Sequence, residues 1–212
     1  LGAIWQWIAA RAGKATARTW QLASPIMLVA CIPLVTNVWD ASRRGQTFTA
    51  DWARDLLQSV EPYGILITAG DNDSFPVWYA QQVEGVRPDV TIALIPYLNM
   101  EWYAHQLIRE RVAAYDGSGV ASYAKIAGKQ PTGPVISLTR AQADSLPPYL
   151  QLQQPVSFQQ GNINATIPAG YIMRDQLMVL QFIRDVFPAR PIHFSIGPYA
   201  QSLGLGEYVV TQ

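Results

Sequence analysis

From Thr19 to Trp39 the chain runs for 21 residues without a charge, around the apolar stretch Ile26-Met27-Leu28-Val29-Ala30-Cys31-Ile32. At about 1.5 Å per residue, a helix of that length matches the roughly 30 Å hydrocarbon layer of a bilayer. The pattern predicts a transmembrane helix over 19–39, with Trp20 and Trp39 as indole anchors at the two headgroup levels. Pro25 and Pro33 are better tolerated in such a helix than in a soluble one, because neighbouring groups can re-satisfy the carbonyls they free. A buried core helix is one alternative, although core helices rarely stay uncharged for so long. A cleaved signal peptide is another, but Val38-Trp39-Asp40 lacks the small residues of a cleavage site. Residues 1–18 then read as the tail of a preceding helix or an interfacial helix, followed by a cytoplasmic loop.

Beyond residue 40 the periodicity changes. Trp52, Leu56, Leu57 and Val60 recur at helical spacing behind Thr49 as an expected N-cap, and Pro62-Tyr63-Gly64 ends that helix. Ile65-Leu66-Ile67-Thr68 reads as a strand, followed by an acidic loop and a helix from about Phe75 to Val83 with Pro76 in its first turn. Val90 to Ile95 is apolar enough for a strand buried on both faces. Asn99 is expected to cap a helix through Ala104, Leu107, Ile108 and Val112. The β-α-β-α order implies parallel pairing with right-handed crossovers. Residues 115–171 carry Gly, Ser, Pro and Lys without periodicity, and predict an irregular insertion with one short helix near Arg140 to Asp144. A helix from about Ile172 to Phe187 has more apolar surface than one sheet face requires. Met178 and Phe182 are therefore candidate interface residues, together with Trp78 and Trp102. Ile192 to Ile196 and Tyr208 to Val210 are the last strand candidates. The fold class is thus α/β: a membrane helix followed by a Rossmann-like domain over 40–212 with a mainly parallel sheet.

Composition sharpens this picture in one respect. Only 14% of residues are charged, against about 25% in an average soluble protein, as expected when surface faces lipid or a permanent partner. Residues 1–39 hold three bases and no acid, and the remainder holds 12 bases and 15 acids. With no strongly basic domain, nucleic-acid binding has no electrostatic footprint. The single cysteine, Cys31, cannot form an internal disulfide, and His105 and His193 lack the spacing of a zinc site. No metal or cofactor is expected. Arg/Lys flank both ends of the span, so charge alone leaves its orientation open.

Candidate chemistry gathers in Gly70-Asp71-Asn72-Asp73-Ser74-Phe75-Pro76-Val77-Trp78-Tyr79. Asp71, Asn72, Asp73 and Ser74 admit three readings. They could ligate a hard cation, or hold a polar substrate in the crevice at the carboxyl ends of parallel strands. In the third reading Asp73 or Ser74 caps the following helix and Asp71 closes an Asx-turn. Arg87 could pair with one of these carboxylates or serve a surface or linker role. His105 falls on the polar side of its helix, and His193 in a buried strand, where structural roles outweigh catalysis. Ser195 lacks the Gly-x-Ser-x-Gly elbow of an exposed nucleophile, and Gly204-Leu205-Gly206 is not a dinucleotide fingerprint.

The segment Gly70 to Tyr79, closed by Gly85-Val86-Arg87-Pro88-Asp89-Val90, resembles the signature of a bacterial family of multi-spanning membrane proteins. That family is related to protein O-mannosyltransferases of the lipid-sugar-using glycosyltransferase superfamily. Its usual wording is Gly-Asp-Asn-Asp-Thr-Phe-Pro-Leu-Trp-Tyr, so Ser74 and Val77 are mild departures. The resemblance implies that residues 20–212 correspond to a last span and the following domain, that this domain is periplasmic, and that catalytic acids belong to an earlier loop. The chain lacks an initiator Met and reads as a piece of something longer or a processed product. Two functions remain open. In one, the chain is a non-catalytic accessory or scaffold subunit at the bacterial inner membrane, docking on other membrane subunits of an energy-transducing complex. In the other, it is the acceptor-recognition part of a membrane protein O-glycosyltransferase.

Overall fold

The computed structural model describes residues 2–12 and 16–210, with some side chains of the first two helices outside that description, Trp20 among them. The chain divides into two compact units, 1–46 and 47–212. The first holds α1 (Gly2–Ala12) and α2 (Thr16–Ala41). Within α1 the Arg11 guanidinium lies 3.8 Å from the centre of the Trp7 ring. The predicted span falls inside α2, which continues through both prolines. Among the described residues no helix is long and apolar enough to cross a membrane, and part of the predicted span, Trp20 included, lies outside that description. Leu28, Val29, Ile32, Leu34, Val35 and Trp39 are exposed along it.

The second unit is a mixed α/β structure. In chain order it contains α3 (Phe48–Ser59), β1 (Ile65–Thr68), α4 (Asp71–Gln82), β2 (Thr91–Leu94), α5 (Ile95–Leu98) and α6 (Glu101–Arg109). After these come α7 (Tyr123–Ile126), α8 (Arg140–Ser145), β3 (Tyr149–Leu152), β4 (Val156–Gln160), β5 (Ile163–Ile167) and β6 (Gly170–Met173). The unit closes with α9 (Arg174–Val186), β7 (Ile192–Phe194), α10 (Gly197–Ser202) and a 3₁₀ turn at Gly206–Tyr208.

The parallel sheet has three strands in the order β2-β1-β7, with Ile65 opposite both Thr91 and Ile192. The central strand explains the layering through its period of two. Leu66 packs with Ala53, Leu57, Val77, Ala80 and Ile92, on the face covered by α3 and α4. Ile65 and Ile67 point the other way, into the larger core that includes Leu98, Tyr103, Leu107, Met178 and Phe182. Met178 and Phe182 have no exposed surface, so both are core residues and not interface. The surplus of apolar positions on α9 is absorbed by the insertion, which packs on its second flank.

That insertion is more ordered than its composition suggests. It forms two antiparallel pairs, β3 with β6 and β4 with β5, so the unit is not dominated by parallel pairing as expected. Along β5, Ile163, Ala165 and Ile167 are buried while Asn164 and Thr166 are exposed. The short helix α8 is present, closed by a reciprocal cap: Thr139 Oγ1 accepts from Gln142 N–H at 3.2 Å, and Gln142 Oε1 accepts from Thr139 N–H at 2.9 Å. Two expected caps fall elsewhere. Thr47, not Thr49, precedes α3, and α6 begins at Glu101 after Met100, leaving Asn99 Oδ1 to accept from the Asp175 N–H at 3.2 Å. Tyr208 to Val210 makes no strand: Tyr208 ends a 3₁₀ turn, and Val209 and Val210 follow it without regular structure.

Candidate functional site

The parallel strands point their carboxyl ends at the start of α4, and a cleft of about 570 Å³ opens there. It is lined by Phe48, Thr49 and Trp52 of α3 and by Asp71, Asn72, Asp73, Phe75 and Pro76 of α4. The acidic segment read as a loop is the first turn of α4, because Gly70 in an extended conformation serves as N-cap and helical geometry begins at Asp71. Pro76, the sixth helical residue, has no N–H to give the Asn72 carbonyl, so α4 runs through it one helix hydrogen bond short.

The four polar residues separate into different roles. Asp71 and Asn72 are exposed at the cleft. Asp73 is turned back toward the strands. Its Oδ1 accepts from Gly70 N–H at 2.8 Å, and its Oδ2 accepts from Ala69 N–H at 2.8 Å and from Ser195 Oγ–H at 2.5 Å. Burial pushes the Asp73 carboxyl upward, but the hydrogen bonds from Ser195, Ala69 and Gly70 together outweigh it and leave it below the ordinary carboxylate value. A carboxylate so held is a structural anion: it joins the ends of β1 and β7 and answers the positive end of the α4 dipole. Ser74 is fully buried and donates to Thr68 Oγ1 at 2.7 Å, so it belongs to the seam between β1 and α4 and not to the cleft. Asp73 thus caps the helix from its third position, not from the position before it, and Ser74 does not cap.

This arrangement constrains what the cleft can take. A helix N-terminus ordinarily invites phosphate. Here Asp71 and Asp73 occupy that place, and like charge disfavours an anionic ligand. Among the described residues no three His, Cys, Asp or Glu side chains converge to hold a metal ion. The remaining surface is aromatic: Phe48, Trp52 and Phe75 are all exposed. Phe75 stacks on Trp78 with ring centres 5.8 Å apart, and Trp78 continues to Tyr97 at 5.9 Å. Trp102, exposed on α6, lies 5.4 Å from both Tyr97 and Tyr103. Trp78 and Trp102 therefore belong to one row of rings extending from the cleft, Trp78 half-buried within it and Trp102 at the surface. Of the lining residues Trp52 was legible as an aromatic, and Phe48 was missed because it precedes the cap expected at Thr49. Ser195, weighed in the sequence only as a nucleophile, meets Asp73 from 122 residues away.

Arg87, read either as a partner for the carboxylates of the acidic segment or as a surface or linker residue, is neither: it is fully buried at the opposite end of the sheet. Its Nε and Nη2 donate to Asp89 Oδ1 and Oδ2 at 2.8 and 2.9 Å, and its Nη1 donates to the carbonyls of Val60 and Leu57 at 2.6 and 3.1 Å. Asp89 Oδ2 also accepts from Tyr63 N–H at 2.9 Å. Arg190 sits beside this clamp, donating to Tyr63 O at 2.6 Å and Thr91 Oγ1 at 2.8 Å. These groups tie the amino ends of the strands to the end of α3. His105 Nε2 lies 2.6 Å from Asp144, a surface link between α6 and α8. His193 is held below its ordinary pKa by burial, which the Glu61 carboxylate opposes and Arg87 reinforces.

Residues 49–127 match the family described as TMEM260-associated domain 2. TMEM260 is a candidate protein O-mannosyltransferase, so the match agrees at a coarse level with the resemblance to that group. The matched stretch contains α4 with its acidic turn, the Arg87–Asp89 clamp and Trp102, and stops before the two antiparallel pairs. Neither the curated proteins nor the solved structures contain a match to this chain.

Proposed function

We propose that the 47–212 unit is a non-catalytic recognition domain of a protein-glycosylating system, and that its cleft between α3 and α4 receives an acceptor polypeptide. The observation that carries this reading is the composition of the cleft: exposed aromatic walls from Phe48, Trp52 and Phe75 beside exposed Asp71 and Asn72, with Asp73 fully engaged. Asp71 offers acceptors to peptide N–H groups, Asn72 offers both a donor and an acceptor, and the rings cover apolar side chains. Chemistry asks for something this cleft does not offer. A general acid or base needs a carboxyl with a pKa near working pH, and the Asp73 carboxyl is held low by three hydrogen bonds.

The relation of the matched family to a candidate O-mannosyltransferase supports acceptor recognition over the second reading, an independent scaffold subunit of a larger membrane assembly. The exposed ring row through Trp102 favours that second reading to the extent that it extends outside the cleft. In either case we infer a place on the outer face of a bacterial inner membrane. Support for membrane association comes from the exposed apolar side chains of α2 and from the family resemblance.

The test is a screen of fluorescent Ser/Thr-rich peptides against the purified full chain, followed by titration of the best binder. Micromolar binding that weakens at least about tenfold in Trp52→Ala, with Asp71→Asn also weaker, is the expected result. Binding indifferent to Trp52→Ala, or sugar transfer by the chain alone from a lipid-linked donor, would reject the reading.

A further inference from the structure

The insertion encloses a second cavity, of about 250 Å³, that has no part in the acidic cleft. Its walls come from three sides: Leu150 and Leu152 of β3, Val156 and Phe158 of β4, and Leu177 and Leu180 of α9. The two antiparallel pairs do not hydrogen-bond to each other, and the space between them and α9 is what remains. Phe158, Ile167, Ile172 and Leu180 are buried at its base, while Leu150 and Val156 are 41% and 42% exposed at its edge. The polar groups lining it are Ser157, Gln181 and Arg184.

Arg184 and Ser157 are exposed, and the Arg184 guanidinium makes no hydrogen bond or ion pair among the described residues. Gln181 Nε2 donates to Asp185 Oδ1 at 2.7 Å, and Asp185 Oδ2 accepts from Ser137 N–H at 2.8 Å. Both oxygens of the neighbouring carboxylate are thereby engaged away from Arg184. An apolar chamber of this size is larger than the ~150 Å³ cavity lined by Leu, Ile and Phe that admits benzene. At about 30 Å³ for each water-sized group, it accommodates a chain of about eight carbons.

We propose that this cavity binds a single-chain anionic amphiphile, its hydrocarbon tail between the two strand pairs and its carboxylate on Arg184. Two features carry the assignment. The lining leaves no hydrogen-bond partners for a polar occupant below the rim, and the exposed, unpaired cation at the rim selects the sign of the head group. The acidic cleft, by contrast, disfavours anions, so the two sites do not compete for one ligand.

The test is calorimetric titration of the 1–212 chain with octanoate, octan-1-ol and octyltrimethylammonium, which share one tail and differ in head charge. Octanoate is expected to bind saturably with 1:1 stoichiometry, and octyltrimethylammonium about tenfold more weakly or not at all. Arg184→Gln should weaken octanoate about tenfold while leaving octan-1-ol unchanged. Ser157→Trp, which adds bulk at the mouth from an exposed position, should abolish binding of all three with no loss in thermal stability. Equal binding of the three probes, octanoate affinity unaffected by Arg184→Gln, or no saturable octanoate binding would each overturn the proposal. So would sedimentation showing a dimer that Ser157→Trp dissociates, because the occupant would then be a second copy of the chain.

Discussion

Removing the Arg87 side chain gives the sharpest measure of what holds the second unit together. Arg87→Leu keeps an apolar side chain in the buried site and inherits the same backbone strain, since the native φ of 49° is already in the left-handed region. What changes is charge and hydrogen bonding. Asp89, with no exposed side-chain surface, keeps the Tyr63 N–H but loses both guanidinium contacts, and the carbonyls of Leu57 and Val60 lose their side-chain donor. Breaking one side of a buried ion pair costs about 3–5 kcal/mol, against a total stability of about 5–15 kcal/mol for a typical domain. At about 2–4 °C per kcal/mol for a chain of this size, about 4 kcal/mol corresponds to a fall of about 8–16 °C in Tm. Urea unfolding followed by tryptophan fluorescence gives the free energy directly. Adding Asp89→Asn to Arg87→Leu removes the stranded charge while keeping an acceptor for Tyr63 N–H, so the double variant should regain at least about 1 kcal/mol. A loss below about 1 kcal/mol for Arg87→Leu, or strictly additive effects in the double variant, would refute the account of the clamp.

Two further outcomes follow from the same unit. Burial pushes the Glu110 carboxyl up to about 7, against the pull of Arg190, from an ordinary value of 4.5. The native state therefore holds a proton there that the unfolded state has released, so the contribution of Glu110 to stability is greatest below about pH 4.5, falls as pH rises toward 7, and is flat above. Unfolding free energies at pH 5 and pH 8 should show Glu110→Gln gaining on the wild type by up to about 3 kcal/mol at the higher pH, and a pH-independent difference would contradict the burial. Gly204 has φ +71° and an added Cβ would lie 2.3 Å from Thr166 O, whereas Gly85 at φ +73° has nothing within 4 Å. Gly85→Ala should cost only the backbone term of about 1–2 kcal/mol, and Gly204→Ala clearly more; equal losses in Tm would show that the turn at Gly204 does not close on the Thr166 carbonyl of β5.

The residues themselves explain which parts of this architecture the sequence discloses. Ile65 to Thr68 and Thr91 to Leu94 are short apolar runs buried on both faces, and a continuous run between turn residues is the signal such strands emit. The insertion hides its strands because each is four or five residues long, interrupted by Pro147-Pro148 and Pro155, and half-exposed. Only β5, with its alternation of Ile163, Ala165 and Ile167, carries a period that local reading can recover. Once those strands are placed, the excess apolar surface of α9 needs no external partner, and Met178 and Phe182 become core by geometry. Arg87 illustrates the opposite difficulty. A cation before Pro88 looks solvated by every local rule, and only the return of Val60, Asp89 and Tyr63 to one point makes its burial tolerable.

The acidic turn shows why residue type alone does not assign chemistry. Asp71 and Asp73 are two positions apart, the spacing that invites a metal or an acid-base pair, yet about 200° around the helix axis separates their environments. A residue at the first position of a helix projects outward from the strand ends, and one at the third can fold back onto the amides preceding the helix. The extended backbone at Gly70 turns its N–H to Asp73, and a Cβ added there would meet nothing within 4 Å, so this return rests on backbone direction and not on a missing side chain. The consequence is a division of labour across one turn: Asp73 fixes where the helix begins and binds Ser195 across the sheet, and Asp71 with Asn72 is left facing the aromatic walls. Replacing Asp73 would therefore move the cleft, whereas replacing Asp71 would change only what the cleft recognises.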